Sequence, residues 1–282
     1  MTFSIVAWDP SSSPPEWGVA VASKFLAVGS AVPWAQAGAG AVATQALANL
    51  SYGPEGLSEL AKGPSAQAVV DLLTGRDADS ADRQLGVVDA RGRAATFTGA
   101  RCFDWAGGKV GEGFSCQGNI LVGREVVDRM AEAFEASSGE LATRLLAALE
   151  AGDVVGGDRR GRQSAAVYVA REGGGYGGGI DRAVDLRVED HAAPIPELKR
   201  LFKLHRLYTP RPEDLEFVRV DAALADELRA LLAAAGYAPG DGSGYESVRD
   251  ALYEYIGSEN LEERWTEEPT IEAGILAHIR DD

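Results

Sequence analysis

In the first two hundred residues, some apolar positions follow the pattern that is typical of β-strands and others follow the pattern that is typical of helices. Short apolar runs with strand character lie at residues 3–8 and 17–23, and in a small-residue stretch at 31–44. Two helical segments follow Pro54 and Pro64, because a proline is tolerated in the first turn of a helix. The chain therefore begins with a block of strands that is followed by a block of helices.

The alternation of blocks continues along the chain. The pattern predicts, in order, a hairpin at 84–89 and 93–98, a strand at 113–122, two helices around Met130 and Leu145, strands at 163–171 and 183–188, and a helix at 196–206. Consecutive strands favour antiparallel pairing, and blocks of helices favour outer layers. We therefore predict an α+β fold, a four-layer αββα sandwich. A doubly wound parallel sheet is less favoured, because it needs strands and helices to alternate singly.

The balance of acidic and basic residues changes near Pro210. The 282 residues carry a net charge of −16, and residues 211–282 alone hold 18 acidic and 6 basic side chains. Pro210 and Pro212 fix the backbone φ angle and remove amide donors, which suits a linker. We predict one domain at 1–209 and a small acidic helical module at 210–282.

The amino-acid composition disfavours some classes of binding partner and bears on the cellular location of the protein. An acidic chain is poorly suited to nucleic acid or to an anionic membrane surface, and no segment approaches the roughly 20 apolar residues of a membrane span. Cys102 and Cys116 are too few for a disulfide framework, and no metal-ligand or phosphate-loop motif is present, so neither a metal nor a cofactor is predicted. No signal peptide is visible, and we predict a cytoplasmic location.

Candidate chemistry lies at the start of the chain. None of the three histidines, His191, His205 and His278, lies beside an obvious nucleophile turn. Removal of Met1 would instead leave Thr2 as the mature N-terminus. A free α-amine has a pKa of about 8 and would be a base within the same residue as the hydroxyl. A threonine that simply begins a strand is the alternative.

Two further candidates follow the second predicted strand. Lys24 ends an apolar run, where a cation would favour the deprotonated forms of a nearby amine and hydroxyl. Ser23 beside it could donate a hydrogen bond. A lysine whose stem covers apolar surface and a serine that ends the strand are the alternatives.

Amide and charged side chains form the remaining candidates. Gln117 and Asn119 flank a glycine, and their amides are suited to polarising a carbonyl or to holding an oxyanion. Asp158 and Arg162 lie in a glycine-rich loop, where arginine offers bidentate recognition of a carboxylate and the aspartate could orient an amine. A polar turn and a solvated loop are the alternatives.

Several ordered motifs resemble a bacterial protein family. They are TFSIVA at 2–7, GVAVASK at 18–24, VPWA at 32–35, QGN at 117–119, and GGD at 156–158 followed by SAA at 164–166. Over about the first 205 residues the chain resembles the domain of unknown function 1028 family, of the N-terminal-nucleophile hydrolase superfamily. The resemblance implies an αββα fold and an amide-cleaving nucleophile, Thr2. Proteasome-like members carry an aspartate on the second strand where this chain has Ala22, with Lys24 at a shifted position.

The acidic tail is similar to peptidoglycan-binding modules from about residue 221. Leu224, Leu228 and Leu231 predict one helical face, and a second face contains Leu252. A packing or oligomerisation module is the alternative, since peptidoglycan lies outside the cytoplasm.

The sequence predicts a cytoplasmic amidohydrolase that acts on a small amide or peptide-like substrate. We assign catalytic roles to Thr2, Lys24 and Asn119, and substrate-binding roles to Ser23, Gln117, Asp158 and Arg162. A noncatalytic binding protein with the same fold is the main rival, supported by Ala22 and the acidic tail. A cell-wall-associated scaffold that binds peptidoglycan is the second rival, and a homo-oligomer is left open.

Overall fold

A computed structural model of the chain describes residues 2–281, within which there are twelve β-strands and eight α-helices. The predicted α+β class is confirmed. The chain divides into two compact units between Leu201 and Phe202. Within the described residues, no helix combines the length and the apolar character needed to cross a bilayer.

The first unit alternates blocks of strands and helices, as predicted. Its strands are β1 (Thr2–Asp9), β2 (Glu16–Ser23), β3 (Pro33–Gln36), β4 (Gly40–Ala46), β5 (Arg83–Asp89), β6 (Ala94–Thr98), β7 (Gly107–Gly111), β8 (Phe114–Asn119), β9 (Ser164–Arg171) and β10 (Arg182–Val188). Its helices are α1 (Tyr52–Leu60), α2 (Ala66–Arg76), α3 (Glu125–Ala136) and α4 (Leu141–Val154), and α5 (Pro194–Tyr208) begins in this unit.

A six-stranded antiparallel sheet has the order β10-β9-β2-β1-β8-β7. β1 lies inside it, with Phe3 opposite Ala22 on one side and opposite Gly118 on the other. Helix α4 packs closely on this sheet, because a Cβ atom added at Gly18 would lie 2.7 Å from Cδ1 of Leu145. A strand that is covered on both faces has a continuous apolar run, which explains the sequence of β1.

A second antiparallel sheet has the order β3-β4-β5-β6. Helices α1 and α2 share a buried cluster with it that includes Val42, Leu57, Val69 and Leu85. The two sheets also share a buried cluster with each other, in which Val6 and Val21 of the first sheet are joined by Ala43 and Val88 of the second. Apolar burial of this kind stabilises the fold by about 25 cal/mol per Å².

The structure refines two of the predicted strand regions. The stretch at 31–44 forms β3 and β4 around a turn at Gly38, which has a φ of 73°. The predicted hairpin at 84–89 and 93–98 is confirmed as β5 and β6, and its turn contains Gly92 with a φ of 77°. The sequence pattern did not predict β7, because a glycine-rich strand has few apolar side chains to show its period.

The second unit is a small helical module with one short strand pair. It contains β11 (Phe217–Arg219), α6 (Ala222–Ala234), α7 (Arg249–Ser258), β12 (Thr270–Glu272) and α8 (Ala273–Asp281). The predicted faces around Leu228 and Leu252 are confirmed, since both residues are fully buried in its core. The strand pair was not predicted, because three-residue strands are too short to show a period. Helix α8 was not predicted either.

Candidate functional site

Thr2 begins the strand that lies inside the six-stranded sheet. The register places Thr2 opposite Asn119 of β8. Thr2 is only 6% exposed, and its Oγ1 atom lies 3.2 Å from Oγ of Ser23 at the end of β2. The sheet therefore holds a threonine hydroxyl in a defined hydrogen bond between neighbouring strand ends.

A cavity of about 420 Å³ opens beside Thr2. Eight of its eleven described lining residues are apolar, and the three polar ones are Thr2, Gln45 and Arg83. A second cavity of about 220 Å³ shares Ala46 and Leu47 with the first. The larger volume lies within the range of small-molecule sites, so Thr2 lines a space that can hold a ligand.

Three non-glycine residues with left-handed backbone surround these cavities. The φ angles are 54° at Ala27, 71° at Ala46 and 50° at Ile120. Ala46 lines both cavities, Ile120 lines the smaller one, and Ala27 lies between two lining residues, Phe25 and Val28. A left-handed residue with a Cβ atom costs about 1 kcal/mol or more. Strain that is concentrated in this way is typical of functional sites.

The two sheets meet next to Thr2 in a network of buried polar side chains. Gln45 Nε2 donates to Gln84 Oε1 at 2.8 Å and to the main-chain O of Thr2 at 3.4 Å. Gln84 Nε2 donates to the main-chain O of Gly118 at 2.7 Å, and Asn119 Nδ2 donates to Gln84 Oε1 at 2.9 Å. Because Gln45 and Gln84 belong to the four-stranded sheet, the network ties the start of β1 to the opposite sheet.

Gln117 belongs to the same network, further from the cavities. Its Nε2 donates to Oγ of Ser4 at 2.7 Å, and the Ser4 hydroxyl donates to Gln45 Oε1 at 2.7 Å. Oε1 of Gln117 accepts from the Ser115 hydroxyl at 3.1 Å. Neither cavity has Gln117 among its described lining residues, whereas Asn119 lines the smaller one. Of the two predicted amides, Asn119 thus lines a cavity, whereas the Gln117 side chain bonds to Ser4 and Ser115 within the six-stranded sheet.

Lys24, Asp158 and Arg162 come together beyond the end of β2. Asp158 Oδ2 accepts from the main-chain N of Lys24 at 2.8 Å, and Lys24 Nζ donates to the main-chain O of Arg162 at 3.4 Å. The Arg162 guanidinium donates to Asp153 at 2.7 Å, and the same pairing raises the pKa of Arg162. None of the three is among the described lining residues of either cavity, and Lys24 is exposed. Their contacts hold the loop that follows Ser23.

Arg83 supplies the cation at the wall of the larger cavity. Its Nε donates to Asp77 Oδ2 at 3.0 Å, and this carboxylate also accepts from Tyr52 Oη at 3.0 Å and from Asn49 Nδ2 at 3.1 Å. The Arg83 hydrogen bond, helped by those of Asn49 and Tyr52, holds the pKa of Asp77 well below its usual range. Burial, with the neighbouring Asp77, raises the pKa of Tyr52. Arg83 also donates to the main-chain O of Leu47, so it braces the cavity wall while its charge is paired.

Sequence reasoning missed three residues of this site. Gln45, Gln84 and Arg83 are polar residues at or next to the ends of β4 and β5, whose interior positions are buried. A polar side chain in a buried strand needs a hydrogen-bond partner, and this requirement was the available signal. Among residues 2–281, no three His, Cys, Asp or Glu side chains form a group that could hold a metal ion.

Comparisons with known proteins agree with the division into two parts. The model of a family described as "Family of unknown function (DUF1028)" matches residues 2–198. The model of a family described as "Putative peptidoglycan binding domain" matches residues 209–279. The crystal structure of a DUF1028-family protein from Silicibacter pomeroyi is 34% identical, with a TM-score of 0.66 and coverage of 73% of this chain and 89% of that chain. No curated protein matches this chain.

Proposed function

The chain belongs to the DUF1028 family, and from that premise we propose that it is an amidohydrolase whose nucleophile is Thr2. The observation that carries the proposal is the position of the Thr2 hydroxyl. It forms a hydrogen bond with Ser23, and Thr2 itself begins a strand and lines a cavity of about 420 Å³. A threonine paired with its own terminal amine needs no histidine as base.

The proposed reaction is an acyl transfer in two steps. Removal of Met1, which lies outside the described residues, frees the Thr2 amine. This amine takes the hydroxyl proton as Oγ1 attacks the carbonyl carbon, and it then gives the proton to the amide nitrogen as the C–N bond breaks. Water attacks the resulting ester, passes a proton through the same amine back to Oγ1, and releases the carboxylic acid.

The surrounding residues have distinct proposed roles. Asn119 lines the adjoining cavity and, among the described contacts, donates one amide proton, to Gln84; we assign its second proton to a carbonyl oxygen of the substrate. Ser23 orients the nucleophile. Lys24 and Asp158 hold the loop after β2 and add a cation beyond the strand end. We propose that Gln117 and Arg162 support the two ends of the substrate indirectly. Gln117 acts through the buried polar network, and Arg162 acts through the loop that it braces.

We further propose that the first unit is a four-layer αββα sandwich of the N-terminal-nucleophile hydrolase superfamily. The contacts of α4 with the six-stranded sheet, of α1 and α2 with the four-stranded sheet, and of the two sheets with each other support this order. We place the domain boundary near Pro210, after α5 and therefore somewhat later than the division of the compact units between Leu201 and Phe202; the second family match, which begins at residue 209, supports this position. A cytoplasmic location is proposed for this enzyme.

Substitution of the nucleophile tests the proposal directly. Purified protein is screened against N-acyl anilides, and intact-mass measurement reports whether Met1 is removed. Thr2→Ala is expected to lower kcat by at least about 100-fold, whereas Thr2→Ser retains a hydroxyl and part of the activity. Thr143→Ala, an exposed threonine on α4, is the matched control. Equal turnover by wild type and Thr2→Ala, or activity from protein that keeps Met1, contradicts the proposal.

Peptidoglycan binding is a second candidate function, proposed for residues 209–279 on the family match. Tyr253 is exposed on α7, and its ring centroid lies 5.1 Å from that of Trp265, so the module presents an aromatic surface. The full chain should sediment with purified peptidoglycan, Tyr253→Ala should sediment less, and Tyr176→Ala, exposed in the first unit, should not differ from wild type. This function requires a location outside the cytoplasm, so cell fractionation separates the two candidates.

A further inference from the structure

The larger cavity has a wall that selects for apolar ligands. Its eight apolar lining residues include Val28, Val32 and Leu47, and Arg83, the one cationic side chain among its described lining residues, is already paired with Asp77. A ligand carboxylate would therefore have to compete with a carboxylate that accepts hydrogen bonds from three side chains. Apolar groups have no such competitor.

The mouth of the cavity is apolar as well. Phe25, Leu26, Leu47 and Leu50 are each at least half exposed, although they are large hydrophobic residues. Phe25, Leu47 and Leu50 also line the cavity. Exposed apolar side chains that line a cavity are typical of a ligand site, because a bound apolar group removes them from water.

The smaller cavity differs in its chemistry. Asp82, Arg101, Asn119 and Arg160 line it, and Arg101 and Asp82 form an ion pair at 2.6 Å. Thr2 lines the larger cavity and is not among the described lining residues of the smaller one. An acyl group that is bonded to the Thr2 hydroxyl is therefore attached at the wall of the apolar cavity.

We propose that the larger cavity is the acyl subsite and that the substrates are amides of apolar carboxylic acids longer than acetate. This inference rests on the proposed function, because it assigns the acyl half of the amide that Thr2 would cleave. Each buried methylene group contributes about 0.8 kcal/mol, which corresponds to about a fourfold rise in kcat/KM. Four additional methylene groups from acetyl to hexanoyl set an upper limit of about 200-fold.

A series of anilides that differ only in the acyl group tests the assignment. We expect kcat/KM to rise from acetyl through butyryl to hexanoyl, and glutaryl, which has a chain of similar length ending in a carboxylate, to react at least about tenfold more slowly than hexanoyl. Ala31→Phe and Ala48→Phe each place a large ring at the cavity wall and should flatten the series. Ala68→Phe, at an exposed position on α2, should preserve it. Circular dichroism of each variant verifies that it folds.

A binding measurement separates this inference from the proposed function. Ligand-observed NMR with the Thr2→Ala protein should detect hexanamide but not acetamide, and Ala31→Phe or Ala48→Phe in that background should abolish the hexanamide signal. An active enzyme with a flat acyl series, or one that prefers glutaryl, overturns the acyl assignment and leaves the amidohydrolase intact. Hexanamide binding that the cavity variants abolish, in a protein that cleaves no amide, supports the apolar ligand site and contradicts the proposed function.

Discussion

The hydroxyl groups of Thr2 and Ser23 lie 3.2 Å apart at the adjoining ends of β1 and β2. Both residues are buried, and Phe3 pairs with Ala22 immediately beside them. The antiparallel register therefore fixes which serine meets the threonine, and the hydrogen bond restricts the rotation of the Thr2 side chain. This restriction fixes the orientation of the hydroxyl of a residue that lines the larger cavity.

Ser23→Ala is expected to lower kcat about tenfold, because an undirected Thr2 hydroxyl loses a hydrogen bond of about 1 kcal/mol and its orientation. Ser23→Thr restores a hydroxyl and should recover most of the activity. Steady-state kinetics on the best anilide provide the readout, and Ser58→Ala, an exposed serine on α1, is the control. A fall in kcat that the threonine variant does not recover would indicate a purely structural role for Ser23.

Gln84→Leu should destabilise the first unit by about 2–4 kcal/mol. Gln84 accepts from Gln45 and Asn119 and donates to Thr98 and to the main-chain O of Gly118, so its loss leaves several buried polar groups without partners. The free energy of unfolding from urea titration measures this cost.

Gln67→Leu on α2 is the control for that substitution, because its amide is exposed and bonds only to Asp71 among the described contacts. It should change the free energy of unfolding by less than about 0.5 kcal/mol. A similarly small effect for Gln84→Leu would show that the network next to Thr2 contributes little to stability.

The sequence was sufficient to predict the strands that carry the candidate site. The apolar runs of β1 and β2 identify them as buried, and antiparallel pairing of neighbouring strands then brings the end of β2, with Ser23, to Thr2. The strand that carries Asn119 was also predicted, but its pairing with β1 was not, because β1 and β8 are far apart in the sequence.

The partners between the sheets could not be predicted in this way. Gln45 and Gln84 are 39 residues apart, and their hydrogen bond depends on how the four-stranded sheet closes on the six-stranded one. The spacing of apolar residues along a strand predicts that a position is buried, but it does not identify the hydrogen-bond partner of a buried polar side chain. The left-handed backbone of Ala46 could not be predicted either. Glycine and asparagine favour positive φ and would have indicated such a position, but alanine does not.

Asp77→Asn should destabilise the protein by about 2 kcal/mol at pH 7, because the neutral amide weakens the pair with Arg83. The pKa of Asp77 is lower in the folded state than its ordinary value near 4. The stabilisation is therefore fully present above about pH 5 and is lost as the pH falls through the folded-state pKa.

The difference in the free energy of unfolding between wild type and Asp77→Asn should become smaller as the pH falls from 7 to 2, because protonation of Asp77 then favours the unfolded state. Asp71→Asn, an exposed carboxylate on α2, provides the control and should show a small difference at every pH. A difference for Asp77→Asn that stays constant down to pH 2 would contradict the assignment of the charge as the stabilising feature.

In the second unit, a single carboxylate serves both an ion pair and a helix start. Glu272 is buried, and its Oε2 accepts from Nη1 of Arg264 and from the main-chain N of Gly274 and Ile275 in the first turn of α8. Arg264 in turn donates to the main-chain O of Leu207 at 2.7 Å. Removal of the carboxylate leaves the partly buried Arg264 without its counter-charge and the amides of Gly274 and Ile275 without their acceptor.

Glu272→Ala should therefore cost about 3–5 kcal/mol and expose α8. Glu272→Gln keeps an acceptor for the helix amides and should cost less, because only the charge of the pair is lost. Hydrogen exchange of the full chain measures the effect: the amides of α8 should lose protection while those of β1 in the first unit keep it. Glu267→Ala removes an exposed partner of Arg249 and should leave α8 protected. Equal protection of α8 in Glu272→Ala and wild type would show that apolar packing alone holds this helix.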